Sequence, residues 1–146
     1  MSTPPTARAV VAQARAASEA EQKAGTMTVK KILIVDDSPT ERHALNDMLT
    51  KAGYEVVSTD NGEDAIVKAR KVKPDLILMD VVMPGLNGFQ ATRAISRDPE
   101  TKSIPVIMCT SKSQETDKIW GLRQGARDYV VKPIDRDELL AKIASL

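Results

Sequence analysis

Cysteine and histidine are nearly absent from this sequence, with one of each, Cys109 and His43, in 146 residues. A single cysteine closes no internal disulfide and excludes a zinc site built on cysteines. A single histidine removes most histidine-ligated metal centres. Aromatic residues are also few: Tyr54, Phe89, Trp120 and Tyr129. An excess of either charge is missing as well. Lys and Arg number 21 against 20 Asp and Glu, so nothing in the balance points to nucleic acid or an anionic membrane as a partner. No apolar run approaches the roughly 18 residues that would span a bilayer, and no basic start followed by an apolar core marks a secretory signal. What is present, 42% apolar and 28% charged residues, is the composition of a globular protein able to bury a core. The length suits one domain, which takes roughly 100–200 residues. The expectation is a single, cytoplasmic domain.

Residues 1–26 differ from the rest. The segment opens with MSTPPT, and residues 7–24 hold eight alanines with few large apolar side chains, so it has little to bury. It reads as an Ala-rich arm, weakly structured or helical. A second reading has Met27 as the functional start of the chain, and N-terminal sequencing of native protein separates the two. From residue 29 a strong pattern begins. The run 32–35 (ILIV) is continuously apolar and stops at two aspartates, as a strand covered on both faces does. Ser38-Pro39-Thr40-Glu41 follows, with Ser as N-cap, Pro at the first helical position and Glu41 closing a capping box. Leu45, Met48, Leu49 and Ala52 then share one helical face, and Gly53 stops the helix. The next strand is expected at 55–59, before a helix opened by Asn61-Gly62 with Ala65, Ile66, Ala69 and Val72 inward. Three more strand–helix pairs follow, at 76–79 with 89–95, 106–109 with 116–123, and 129–131 with 135–144.

Five such units in residues 29–146 predict an α/β fold, a doubly wound five-stranded parallel sheet with helices on both faces. The natural strand order is 2-1-3-4-5. In sheets of this kind functional groups gather at the carboxyl ends of the strands, where strand order reverses. Asp36 and Asp37 follow the first strand, Asp80 ends the third, Thr110 the fourth and Lys132 the fifth. Three carboxylates brought together repel one another unless positive charge lies between them. A hard divalent cation with oxygen ligands supplies it, and Mg²⁺ fits best because it accepts one or two carboxylates with water and phosphate. A carboxylate can also attack phosphorus to give an acyl phosphate, with a lysine neutralising the incoming charge and a threonine hydroxyl donating to a phosphate oxygen.

Taken singly, each residue has a plainer explanation. Asp36 and Asp37 suit the positive end of a following helix, and Asp80 suits a turn marked by Pro84, Gly85 and Gly88. Thr110 and Lys132 alone carry almost no signal. Cys109 reads as a buried apolar residue and His43 as an exposed spectator. The placement of these groups at four strand ends in register is what favours a phosphoryl-accepting site.

The segments KILIVDD (31–37), LMDVVMPGLNG (78–88), VIMCT (106–110) and YVVKP (129–133) resemble the receiver domain of two-component response regulators, over residues 29–146. The resemblance implies the flavodoxin-like receiver fold, with Asp80 as phosphoacceptor and Mg²⁺ as cofactor. Asp37 would ligate the metal directly, Asp36 through water, and the Val82 backbone carbonyl would complete the protein ligands with Asp80. Thr110 would bond the phosphoryl group and Lys132 pair with it. Tyr129 matches the aromatic switch position, and the Lys132-Pro133 bond would be cis. Val82 departs from many members, which carry a polar side chain there that tunes dephosphorylation, and Lys112 bears on the same property.

A narrower set, IVDDSPT (34–40), MPGLNGFQATR (83–93) and QETDKIWGLRQGARDY (114–129), resembles the single-domain regulators of the chemotaxis-like system that controls type IV pilus twitching motility. It implies a histidine kinase or phosphotransfer domain as donor, docking near the first helix, and an effector of the pilus motility machinery as target. Lys118, Trp120, Leu122 and Tyr129 are the candidate partner-binding residues. Trp120 reads equally as a partner anchor or a packing residue, since the apolar stripe 119–122 could bury without it. With the chain ending at Leu146, output is expected through binding, with no enzymatic activity beyond self-phosphorylation and self-dephosphorylation. Two rivals stand beside this reading. One is a phosphate sink or a module that binds independently of phosphorylation. The other is a small-molecule phosphotransfer enzyme, against which the lack of an inserted cap counts.

Overall fold

The computed structural model describes residues 28–111 and 115–146, with the side chains of 115–118 excepted. The expected arm at 1–26, Lys112 and the side chain of Lys118 therefore lie outside the described residues. Among the described residues ten elements alternate: β1 (Lys31–Val35), α1 (Pro39–Lys51), β2 (Glu55–Thr59), α2 (Gly62–Val72), β3 (Leu76–Asp80), α3 (Gly88–Arg97), β4 (Val106–Thr110), α4 (Glu115–Arg123), β5 (Asp128–Val131) and α5 (Arg136–Ala144). All strand pairs are parallel and their order is β2-β1-β3-β4-β5, as expected from the pattern. Among the described residues no helix is long and apolar enough to cross a membrane.

The side-chain alternation of each strand divides the core in two. Leu33, Val35, Ile77, Met79, Val106 and Met108 face α2 and α3, where Ala65, Ala69, Ala91 and Ile95 meet them. Ile32, Ile34, Leu76, Leu78, Ile107 and Cys109 face the other way, against Leu45 and Leu49 of α1 and Leu139 and Ile143 of α5. Because both faces are covered, β1, β3 and β4 are apolar at nearly every position, and their polar residues appear only at the ends.

Several helix termini follow local chemistry. Ser38 caps α1, its hydroxyl accepting from the Glu41 N–H at 3.3 Å, and Pro39 opens the helix. Gly53 ends the segment with φ +101°, a conformation that glycine adopts without Cβ strain. The capping box expected at 38–41 does not close. The Glu41 carboxylate turns instead to the Lys132 ammonium, a charged partner stronger than a backbone amide. A full capping box forms at α3, where Asn87 and Gln90 exchange side-chain-to-backbone bonds of 2.9 Å each.

The 119–122 stripe does not bury. Ile119 and Leu122 are 56% and 47% exposed and Trp120 is 52% exposed. Helix α4 meets the sheet through Gly121, where a Cβ would stand 2.8 Å from Met108 Cγ. A bare backbone against a methionine brings the helix close and leaves its larger apolar groups in solvent.

Cys109 is 2% exposed, and burial pushes its thiol up to about 12. Native protein at pH 8 is expected to react with iodoacetamide at least ~100-fold more slowly than an accessible thiol, because almost no thiolate is present. Denaturant should restore ordinary reactivity, and rapid labelling of the native chain would contradict this environment.

Candidate functional site

The sheet ends of β1, β3 and β5 deliver four charged groups to one cleft. Asp36 and Asp37 leave β1 at the point where the chain turns into α1. The Asp36 N–H donates to the Thr59 carbonyl at 3.1 Å, its Oδ1 accepts from the Ser38 N–H at 2.9 Å, and its carbonyl accepts from Arg42 Nη1 at 2.8 Å. Those bonds fix the β1–α1 turn and bring the Asp36 carboxylate beside Lys132 and the two other aspartates. Asp80 is the last residue of β3, buried, with Oδ1 accepting from the Val81 N–H at 3.0 Å. The chain beyond it is held by Val81 and Met83, both buried in the apolar core, and by the Gly88 N–H donating to the Val81 carbonyl at 2.9 Å. Lys132 follows β5 directly and precedes Pro133 in a cis peptide bond, as the resemblance implied.

Asp36, Asp37 and Asp80 each offer a carboxylate oxygen, and these atoms lie within 4.8 Å of one another. Lys132 Nζ reaches Asp80 Oδ1 at 2.9 Å and Asp36 Oδ2 at 3.3 Å. It also meets Glu41 Oε1 at 2.5 Å. One ammonium is thus shared among three acids, and the sharing decides how each group titrates. Burial pushes the Asp80 carboxyl up to about 6 despite its bond to Lys132, with Asp36 adding to the rise. Burial likewise raises Asp36, against the opposing bonds from Ser38 and Lys132. Burial acts to lower Lys132, but bonds to Glu41 and Asp80 outweigh it and hold the ammonium well above its usual range. Lys132 stays charged, and the carboxylates retain a deficit of positive charge.

The cleft is about 670 Å³ and is lined by Asp37, Glu41, Asp80, Val82, Asn87 and Lys132, among others. A set of hard oxygen donors with excess negative charge and open space beside it suits Mg²⁺, which keeps several of its own waters. On that chemistry the residues fit the ion. Val82 lines the cleft and is 75% exposed.

Thr110 is not among the residues that line the cleft. It is fully buried, and its hydroxyl donates to the Val130 carbonyl at 3.5 Å, while Cys109 and Ser111 line the cleft on the β4 side. Tyr129 lies half-buried on β5, packed against the core on the Met108 face, with Lys142 Nζ 5.2 Å from its ring centroid. Trp120 and Leu122 are exposed on α4, and His43 is exposed on α1, away from the core. The residue that sequence reasoning missed as part of the site is Glu41. An acid in the first turn after the two aspartates was a signal for it, but capping explained the same residue equally well.

The sequence model for "Response regulator receiver domain" matches residues 32–144. The chain is 60% identical over 113 residues to protein PilH of Pseudomonas aeruginosa, covering 77% of this chain and 93% of that one. Among solved structures, chemotaxis protein CheY4 of Vibrio cholerae superposes with a TM-score of 0.75 at 34% identity, covering 80% of this chain and 98% of that one. The receiver domain of a Pseudomonas aeruginosa sensor histidine kinase, solved with a magnesium ion coordinated in its active-site cleft, gives 0.74 at 32% identity, covering 80% and 96%.

Proposed function

The chain belongs to the response regulator receiver domains, and from that premise we propose that Asp80 accepts a phosphoryl group from a histidine kinase or phosphotransfer domain. The observation that carries this reading is the Asp80–Lys132 bond of 2.9 Å inside the cluster of Asp36, Asp37 and Asp80. An Asp80 carboxylate oxygen attacks phosphorus in line, the bond from phosphorus to the donor nitrogen breaks, and the electron pair leaves with the donor imidazole. Lys132 pairs with the phosphoryl oxygens where it now pairs with the carboxylate. Asp36, Asp37 and Asp80, with the Val82 backbone carbonyl, would hold Mg²⁺, which when bound offsets repulsion between the incoming phosphoryl group and these acids.

The signal then passes through Thr110. Its present hydrogen bond is long and neutral, and a phosphoryl oxygen offers a charge-assisted one in exchange. Movement of that hydroxyl away from the Val130 carbonyl alters the β4–β5 edge on which Tyr129 sits. The phosphoryl group thereby biases two pre-existing arrangements of the surface carrying Tyr129, Trp120, Leu122 and Lys118. Those residues are the proposed contact for an effector. The 60% identity to PilH, with the motif resemblance described above, supports twitching motility as the process served.

Incubation with acetyl phosphate and Mg²⁺ tests the core of the reading. The intact mass is expected to rise by one phosphoryl group, the modification should be labile to hydroxylamine, and chelation of Mg²⁺ should prevent it. An unchanged mass under conditions that label another receiver domain would overturn the assignment. Loss of the gene from its native host, with no change in the twitching zone, would remove the motility role alone.

A further inference from the structure

An ammonium group has three N–H donors and no more. On Lys132 all three have carboxylate partners: Glu41 Oε1 at 2.5 Å, Asp80 Oδ1 at 2.9 Å and Asp36 Oδ2 at 3.3 Å. Phosphorylation of Asp80 frees the one donor its carboxylate now holds, and a second donor reaches the phosphoryl oxygens only when Asp36 or Glu41 releases it. The partners differ in how hard release is. Asp36 and Asp80 keep 3% and 9% of their side-chain surface in water, whereas Glu41 keeps 47%. A carboxylate already at the surface regains hydration readily on leaving, so Glu41 is the partner that lets go.

Its position agrees with this. Glu41 and Lys132 line both the acidic cleft and a neighbouring apolar groove bounded by Ala44, Leu45, Met48 and Ile134, so their ion pair stands as the wall between the two. The Glu41 N–H stays bonded to the Ser38 hydroxyl, so the side chain can swing while the helix start remains in place.

Resting on the reading of Asp80 as phosphoacceptor with Lys132 as its partner, we propose that Glu41 is a positioning residue. It holds the Lys132 ammonium in the unphosphorylated protein and competes with the phosphoryl group for it. It also places a negative charge at the cleft, beside exposed Asp37, where an anionic donor must enter. Both effects act in the same direction: they slow phosphoryl acceptance and favour the unphosphorylated surface. The regulator's resting state is thereby set partly by a residue outside the cluster of three aspartates.

The test compares the full chain with Glu41→Gln, which keeps an acceptor but loses the charge, and Glu41→Ala, which loses both. Initial rates of phosphoryl acceptance from acetyl phosphate are measured at saturating Mg²⁺ by phosphate-affinity electrophoresis, at low and high salt. Both variants are expected to gain phosphate roughly two- to fivefold faster than wild type at low salt, the size of one partly exposed charge interaction. The ratio should fall toward one at high salt, where screening removes the charge effect. Rates equal to or below wild type at low salt would overturn the proposal. So would an acceleration indifferent to salt, which signals altered packing in place of a lost counter-charge. A wild-type chain that takes no phosphoryl group overturns the assignment of Asp80 and this inference together. A phosphorylated wild type with unchanged variants overturns the role of Glu41 alone.

Discussion

Asp80→Asn is expected to abolish phosphoryl acceptance and, in the same protein, to raise the melting temperature of the metal-free form. The first effect follows from losing the nucleophilic oxygen: an amide is a poor nucleophile toward phosphorus, so no mass gain should appear with acetyl phosphate and Mg²⁺. The second follows from burial. The Asp80 carboxyl titrates at about 6 in the folded chain against an ordinary value of 3.8, because it is removed from water and faces Asp36 while sharing one ammonium. A carboxyl raised on folding binds its proton more tightly in the native state. The stability linked to that proton is full below about 3.8 and disappears as the pH rises through about 6.

Above pH 6 the ionised group therefore holds the metal-free protein about 3 kcal/mol below the stability it has when protonated, at roughly 1.36 kcal/mol for each pH unit of difference. The neutral amide removes the repulsion but gives up a charged hydrogen bond to Lys132. The expected net gain at pH 7.5 is about 1–2 kcal/mol, or roughly 4–8 °C in a thermal melt. The gap between variant and wild type should narrow as the pH falls from 7 toward 4, and Mg²⁺ should stabilise wild type more than the variant. Differential scanning calorimetry in chelator, across that pH range, checks the sign. A variant less stable than wild type at pH 7.5 without metal would show that the Lys132 bond outweighs burial.

Much of this site was legible in the sequence for a simple physical reason. A parallel strand covered on both faces is apolar at nearly every position, so Asp36, Asp80 and Lys132 stand out as the first charges after ILIV, LILM and YVV. The order 2-1-3-4-5 is the natural one for five strand–helix units, and convergence at one edge follows from it. Glu41 was obscured because one residue type serves two purposes at that position. Only the distance to a lysine 91 positions later in the chain (132 − 41) distinguishes a cap from an ion pair. The outward apolar side of α4 was left undecided for a related reason. Periodicity shows that apolar residues share a side, whereas the close approach of Gly121 to Met108 determines which side meets the sheet. The bond of the Thr110 hydroxyl to the Val130 carbonyl was beyond reach, since a side-chain rotamer leaves no trace in residue order.

Gly88→Ala is expected to be among the most damaging single substitutions in the domain, although it adds one methyl group. Its Cβ would lie 2.1 Å from the Asp80 carbonyl oxygen and 2.9 Å from both the Asp80 carbonyl carbon and Val81 Cα. All three neighbours are backbone, so no rotamer change relieves the contact. Either the start of α3 lifts away, breaking the Gly88 N–H bond to the Val81 carbonyl, or the end of β3 shifts and carries Asp80 with it. Overpacking against rigid backbone should cost about 3 kcal/mol or more. A shift of even part of an ångström at Asp80 should also lower phosphoryl acceptance by roughly tenfold or more in the protein that remains folded. Gly53→Ala separates this from ordinary glycine strain. Gly53 has φ +101° with nothing near its missing Cβ, so alanine there should cost about 1 kcal/mol from backbone conformation and leave phosphoryl acceptance unchanged. Urea denaturation of both variants, with the rate of acceptance measured well below each unfolding midpoint, distinguishes the two mechanisms. If Gly88→Ala proved no more destabilising than Gly53→Ala, and accepted phosphate at the wild-type rate, the close splice between β3 and α3 would not be what fixes Asp80.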